Sequence, residues 1–392
     1  MAPRPPGRLS EPVEAPAPGP ASPCRSGHDT VQAMNPRNRS FLFGLPVCLG
    51  ACWLVAAASL AGQSDLTEDD LLGRQMGFSV ADLQLVESGA AVIRSLDSPV
   101  REEIAYVGMV YIDVPAEHFI DRFRDIEQFE SGPGTPLIGR FSDPPKLEDL
   151  ALLTLPPGDV AALTKCRPGS CGVKLPVAAI QRFQNEVDWS SPAAAAQADQ
   201  VAREMILDLI RAYQADGNAA LGYYDDGDDP LPVAEHFRGV LAGGDPLPVP
   251  VPALIAYLET YPHGRPAAAE EFFYWALVDF GLKPTIRVNH VTIYPLDRHA
   301  APGVAYAIAI KQLYASHYFY TTLELRFLVD DRRRLGSLDT SLISILRSRS
   351  DGMTGFKGLF LRPVIRRRSR DAVRGYLDHV KQQVESPVPA AP

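Results

Sequence analysis

The chain has 392 residues, 46% hydrophobic and 22% charged, enough to bury a sizeable core and too apolar for a wholly disordered protein. Its formal charge of −9 gives no global support to nucleic-acid binding, and no nucleic-acid partner is expected. The 36 prolines gather at both ends and in the middle, where they mark loops and linkers.

Residues 1–33 are Pro- and Ala-rich without apolar periodicity and read as a disordered or non-native extension, because they cannot bury enough surface to offset their ordering entropy. Met34 reads as an alternative start. It opens "MNPRNRS", a basic region followed by an apolar run and small residues before a cut after Ala61. The run from Phe41 to Ala61 is also long enough to cross a bilayer, so residues 34–62 are a signal peptide or a membrane anchor. A third alternative takes Leu49-Gly-Ala-Cys52 as a lipidation box. All three readings put the rest of the chain in the cell envelope, periplasmic or membrane-anchored.

Of five cysteines, Cys166 and Cys171 in "KCRPGSCG" bracket a Pro-Gly turn. In an oxidising compartment the pair suggests a local disulfide, with two free thiols as the alternative. A zinc site would need two further ligands nearby, and no metal is expected.

Residues 63–103 carry helix-like spacing and read as a helical lead-in whose Asp82, Glu87 and Arg94 face water. "IAYVGMVYIDV" from Ile104 reads as a strand, ending where Asp113 caps a helix that has Pro115 in its first turn. That helix places Phe119, Ile120, Phe123 and Ile126 on one stripe. Between 131 and 283 the reading is a helix-rich insertion. "PLIGRF" and "LEDLALLTL" are short strands, while "PVAAIQRFQNEVDW", "SPAAAAQADQVAREMILDLIRAYQADG", "PVPALIAYLETYP" and "AAAEEFFYWALVDFG" are helices. Asp225, Asp226, Asp228 and Asp229 lack the glutamate that a calcium loop would supply and read as a solvated turn.

From Lys283 the pattern changes to strands: "TIRVNHVTIYPL", "GVAYAIAIKQLYA", "SHYFYTTLELRFLVDD" and "TSLISILRSRSD", joined by short loops as in an antiparallel meander. In the third, His317, Phe319, Thr321, Leu323, Leu325, Phe327 and Val329 share a core face, opposite Tyr318, Tyr320, Thr322, Glu324 and Arg326. In the second, Ala305, Ala307 and Ala309 oppose Val304, Tyr306, Ile308 and Ile310, leaving room for a packed helix or a ligand. The closing "RDAVRGYLDHVKQQVE" puts Val373, Tyr376, Leu377, Val380 and Val384 on one helical stripe, which must pack on the sheet.

"VYIDVPAEHFIDRFRDIEQF", the late meander and "RDAVRGYLDHVKQQVE" together resemble the START-like helix-grip superfamily, which includes polyketide cyclase-like SRPBCC proteins and lipid-transfer domains. The resemblance covers roughly residues 104 to 130 and 284 to 385. It implies an α+β fold over 104–386, in which an antiparallel curved sheet grips the long C-terminal helix and an elongated apolar cavity lies between them. A lipid or another apolar small molecule is then the expected partner.

His290 and His317 both fall on apolar strand faces, so they read as an acid/base pair, as two metal ligands, or as core or pocket-lining histidines; the last is preferred. With Phe319 and Tyr306 they make up the expected ligand-binding set. Arg347 and Arg349 share a strand face and could clamp an anionic headgroup, or simply protect a sheet edge. Arg366, Arg367 and Arg368 begin the last helix and suit anionic lipid surfaces or a solvated helix face. No nucleophile elbow, phosphate loop, zinc-protease helix or dinucleotide fingerprint is present, and no cofactor is expected. The leading reading is therefore noncatalytic binding. The alternatives are a cyclase-, hydratase- or lyase-type enzyme using His290 or His317, or an envelope interaction protein.

Overall fold

Runs of β-branched and aromatic residues build the strands of the molecule. In the computed structural model, which describes residues 76–243, 247, 250–279, 281–297, 303–330, 340–351 and 355–386, these are β1 (Val92–Ser95), β2 (Glu103–Ile112), β3 (Leu137–Arg140), β4 (Tyr223–Tyr224), β5 (Leu231–Pro232), β6 (Glu270–Val278), β7 (Thr285–Pro295), β8 (Val304–Ala315), β9 (Phe319–Asp330) and β10 (Thr340–Ser350). Eight of them form one sheet in the order β1-β2-β10-β9-β8-β7-β6-β3, antiparallel at every pairing; β4 and β5 make a separate two-stranded ribbon. The helices are α1 (Val80–Glu87), α2 (Ala116–Arg124), α3 (Ile126–Glu130), α4 (Pro157–Leu163), α5 (Val177–Glu186), α6 (Ala194–Asp216), α7 (Val233–Ala242), α8 (Pro252–Thr260) and α9 (Gly355–Glu385). The result is the expected α+β class, with a large antiparallel sheet and a long C-terminal helix. The expectations for 1–33 and 34–62, including Met34 and Cys52, lie outside the described residues.

Because side chains alternate along each strand, the sheet presents two faces, and both are buried. One face, called here the grip face, carries Tyr106, Val110, Phe272, Val291, Ile308, Ile310, Leu328 and Leu342. Against it pack the α9 residues Leu377, Val380 and Val384 and the α2–α3 residues Phe119, Ile120, Phe123, Ile126 and Phe129. Each fully buried side chain of this size contributes about 1.5–3 kcal/mol, so the two apolar stripes read from the sequence hold this layer. Gly108 of β2 admits the helix: a Cβ there would stand 2.6 Å from Leu377 Cδ1 and 2.9 Å from Ile93 Cδ1.

The opposite, outer face is covered by α1 and by helices of the segment between β3 and β6. Helices α5 and α6 cover Phe273, Trp275, Ile286 and Val288, while α1, α7 and α8 cover Val107, Ala307, Ala309, Leu323, Leu325 and Phe327. Ala307 and Ala309 share their cluster with Phe237 and Val240 of α7, which is the close helix packing that small side chains permit.

Several local expectations are corrected. "EEFFYWALV" is strand β6, not a helix; Phe273 and Trp275 face outward while Phe272, Tyr274 and Ala276 face the grip side, so its real period is two. "LEDL" is a 3-10 turn rather than a strand. Residues 92–95 within the expected helical lead-in form edge strand β1. Asp82 is buried rather than in water: it takes part in a capping box with Ser79 and accepts a hydrogen bond from Arg94 Nε at 3.1 Å. The adjacent guanidinium lowers its carboxyl to about 2. The N-cap of α2 is Pro115, without a side-chain cap from Asp113.

Candidate ligand cavity

The grip face and α9 do not close on one another everywhere. Between them lies a cavity of about 910 Å³, within the size range of small-molecule sites. Its apolar wall comes from Ile104, Tyr274, Ala276, Ile310 and Leu346 of the sheet, with Ile365 and Val373 of α9. An eight-stranded sheet is too wide for one helix to fill its groove, and the stripe on α9 that packs tightly is confined to its C-terminal half.

Two irregularities shape the wall. Between Arg349 and Ser350 the register with β9 slips, so Arg349 faces Thr321 while Ser350 faces Phe319, and Tyr320 is the extra residue. Such a bulge re-aims side chains. It turns Phe319 into the cavity, whereas Leu323, Leu325 and Phe327, expected to share its face, lie on the outer face. Tyr318 stands beside it with φ of 63°, a left-handed conformation costly for a bulky residue, and its hydroxyl accepts a hydrogen bond from the Lys283 backbone at 2.9 Å.

At one end the cavity holds charge. Arg326, only 2% exposed, donates from Nε to Glu324 Oε1 at 2.8 Å and from Nη2 to Glu324 Oε2 at 3.2 Å and the Tyr376 hydroxyl at 2.5 Å. Tyr376 in turn donates to Glu130 Oε1, and Ser344 donates to Glu324 Oε1 at 2.7 Å. Burial raises the Glu130 carboxyl, while Arg326 and its hydrogen bonds hold Glu324 low against its own burial. Arg326 Nη1 and Asn289 Oδ1 are buried without a partner. Leaving such groups unmatched costs about 1–3 kcal/mol each, more when charged.

At the other end, Lys174 Nζ pairs with Asp351 Oδ2 at 2.7 Å and approaches Asp226 Oδ2 at 3.5 Å. His317 lines the cavity here and its Nε2 meets Asp159 Oδ1 of α4 at 2.8 Å. Cys166 and Cys171 form a disulfide, and Cys171 and Gly172 belong to the cavity wall. The aspartate turn is anchored rather than merely solvated: Asp225 Oδ2 accepts from the Val177 backbone, and Asp226 meets Lys174. No group of three residues able to hold a metal occurs among the described residues, and no helix among them is long and apolar enough to cross a membrane.

Of the residues expected to bind ligand, His317 and Phe319 line this cavity, and the others do not. His290 is fully buried on the outer face, where Nδ1 meets the Tyr213 hydroxyl at 3.3 Å and Nε2 meets Glu271 Oε2 at 3.2 Å. Burial holds its pKa below the usual histidine value, with Glu271 opposing. Arg347 and Arg349 also lie on the outer side, at 2.7 and 3.1 Å from Glu103, and Arg349 packs against Gly239 of α7. They hold a buried carboxylate instead of an edge or a headgroup. Tyr306 packs half-buried on the grip-face core, away from the cavity wall.

Sequence reasoning missed Arg287, Asn289, Glu324, Arg326, Glu130 and Tyr376 as a site. The available signal was a pair of charges, Glu324 and Arg326, alternating inside an otherwise apolar strand, a pattern tolerated in a buried sheet only with matched partners. No family model and no curated protein matches the chain. Among solved structures, a START superfamily protein from Mycobacterium smegmatis aligns with a TM-score of 0.20 and 16% identity, over 32% of this chain and 66% of that one.

Proposed function

We propose that the protein binds a molecule with an apolar body, a lipid or a comparable small hydrophobe, in the cavity between the sheet and α9. The observation that carries this reading is the cavity of about 910 Å³ with apolar walls and buried polar groups that lack partners. Native mass spectrometry of the purified full chain is expected to show a bound apolar adduct, or binding from a lipid panel. A chain that is empty and binds nothing on the panel overturns the reading.

The same reading places the protein in the cell envelope, supported by the Cys166–Cys171 bridge, which suits an oxidising compartment, and by the apolar run at 41–61. Thiol trapping in the producing cell should find the pair oxidised; a reduced pair contradicts the placement. Arg366, Arg367 and Arg368 are exposed on α9, and Arg368 joins Val364 in the cavity wall. A membrane carrying acidic lipids is the surface they would meet, and salt-sensitive cosedimentation with such vesicles tests it.

A second reading has one observation behind it. Asp159 orients His317 within the cavity as a carboxylate orients a general base, which favours a cyclase- or lyase-type reaction on the bound molecule. Turnover of any copurified ligand that survives His317→Ala removes this reading.

A further inference from the structure

The charged end of the cavity specifies the ligand's head, an inference that rests on the binding reading above. Two guanidiniums, Arg287 and Arg326, and two carboxylates, Glu130 and Glu324, line it together with Asn289 and Tyr376. Glu324 is fully engaged, accepting from Arg326 and from Ser344. Arg287 engages Gln312 Oε1 through Nε at 3.1 Å and lies over the Phe319 ring, with no carboxylate at ion-pair distance among the described residues. Arg326 keeps Nη1 unpartnered although its side chain is 2% exposed. Arg326 Nη1 and the Arg287 guanidinium therefore lack a carboxylate acceptor, while Asn289 Oδ1 lacks a donor.

We infer that this end is a subsite for a single carboxylate, the head of an otherwise apolar acid, which accepts hydrogen bonds from Arg326 Nη1 and from the guanidinium of Arg287. A planar guanidinium matches a carboxylate in geometry and charge. Glu130 is faced by Arg326 and Glu324 of β9, Tyr376 of α9 and Arg287 of β7, and burial raises its carboxyl. Its Oε1 accepts from the Tyr376 hydroxyl and lies 3.7 Å from Arg326 Nη2, so it matches neither Arg326 Nη1 nor the Arg287 guanidinium. A phosphate dianion would leave excess negative charge in a buried place, where it is poorly tolerated. A neutral alcohol would leave Arg287 without a counter-charge.

Calorimetric titration of the delipidated full chain with dodecanoate, dodecanol and dodecyl phosphate tests this. Dodecanoate is expected to bind about tenfold more tightly than dodecanol, a difference of ~1.4 kcal/mol, and more tightly than dodecyl phosphate. Arg287→Met and Arg326→Met are each expected to erase the difference between acid and alcohol; Arg287, only half-buried, serves if the Arg326 variant does not fold. Equal affinity for acid and alcohol overturns the subsite while leaving the apolar cavity standing. Tighter binding of the phosphate, or an acid preference that survives in the folded variants, also overturns it. Binding of none of the three overturns it as well, and with an empty result on the lipid panel the cavity reading fails too.

Discussion

The two faces of the sheet both bury polar groups and both keep some unmatched atoms, Thr321 Oγ1 and Ser341 Oγ on the outer side among them, but the grip face sets an unmatched guanidinium beside a cavity. On the outer face, a chain of side chains runs from Glu271 through His290 and Tyr213 to Lys311, each member meeting its neighbour, and Lys311 also donates to Asn218. The rings of Tyr213 and Tyr261 stack at 4.4 Å over it, and none of these residues borders the cavity. On the grip face, Arg326 and Asn289 keep unmatched atoms beside a cavity. The first cluster is matched member to member, and the second keeps unmatched atoms beside a space.

The contrast can be broken most severely from the outer side. Trp275 is fully buried and donates from Nε1 to the Asp149 backbone at 2.9 Å, so Trp275→Ala should lose about 3–5 kcal/mol in chemical denaturation. Ligand binding by the molecules that remain folded should persist. Gly108→Val drives a side chain into Leu377 and Ile93 and should lose about 1–3 kcal/mol. It should also loosen ligand binding, because it shifts the helix that forms the cavity wall.

Cys166→Ser opens a short closed loop, and in the chain-entropy model the loss is about 2 kcal/mol. Since Cys171 lies in the cavity wall, faster ligand exchange in stopped-flow measurements should accompany it. The smallest effect is a slope. Burial lowers the Lys311 amine well below 10.5, so the unfolded chain holds a proton there that the folded chain does not. Stability from this residue is complete only above about pH 10.5 and is lost as pH falls toward its folded value. Thermal melts of Lys311→Met should show a higher Tm near neutrality and a flatter rise toward alkaline pH. His290 adds a similar loss below about pH 6.5, the value of an unburied histidine.

Elements with one clear period were legible in the sequence: the stripe of α9 and the four strands of the meander are present, and the stripe expected on one helix is shared by α2 and α3, because the chain breaks at Asp125 before Ile126. Strand β6 was not, because "EEFFYW" is apolar on both faces and a sheet buried on both sides erases the alternation that separates strand from helix. The same two-sided burial hid the site. His290 and His317 each lie on an apolar face, but nothing local distinguishes the outer face from the grip face, and a bulge at Ser350 decided where Phe319 points. Arg347 looked like an exposed clamp because its partner, Glu103, lies on a strand far away in sequence.

The central claim is that the space beneath α9 is occupied by an apolar ligand, and filling that space tests it most directly. Ala372 lines the cavity from an exposed position on α9, so Ala372→Trp adds bulk to the cavity without removing a core side chain. Organic extracts of the purified wild-type chain and of this variant, quantified by mass spectrometry against protein, should show an apolar ligand near one per chain in the wild type and a clear loss in the variant. Equal amounts in both, or none in either, would contradict the account.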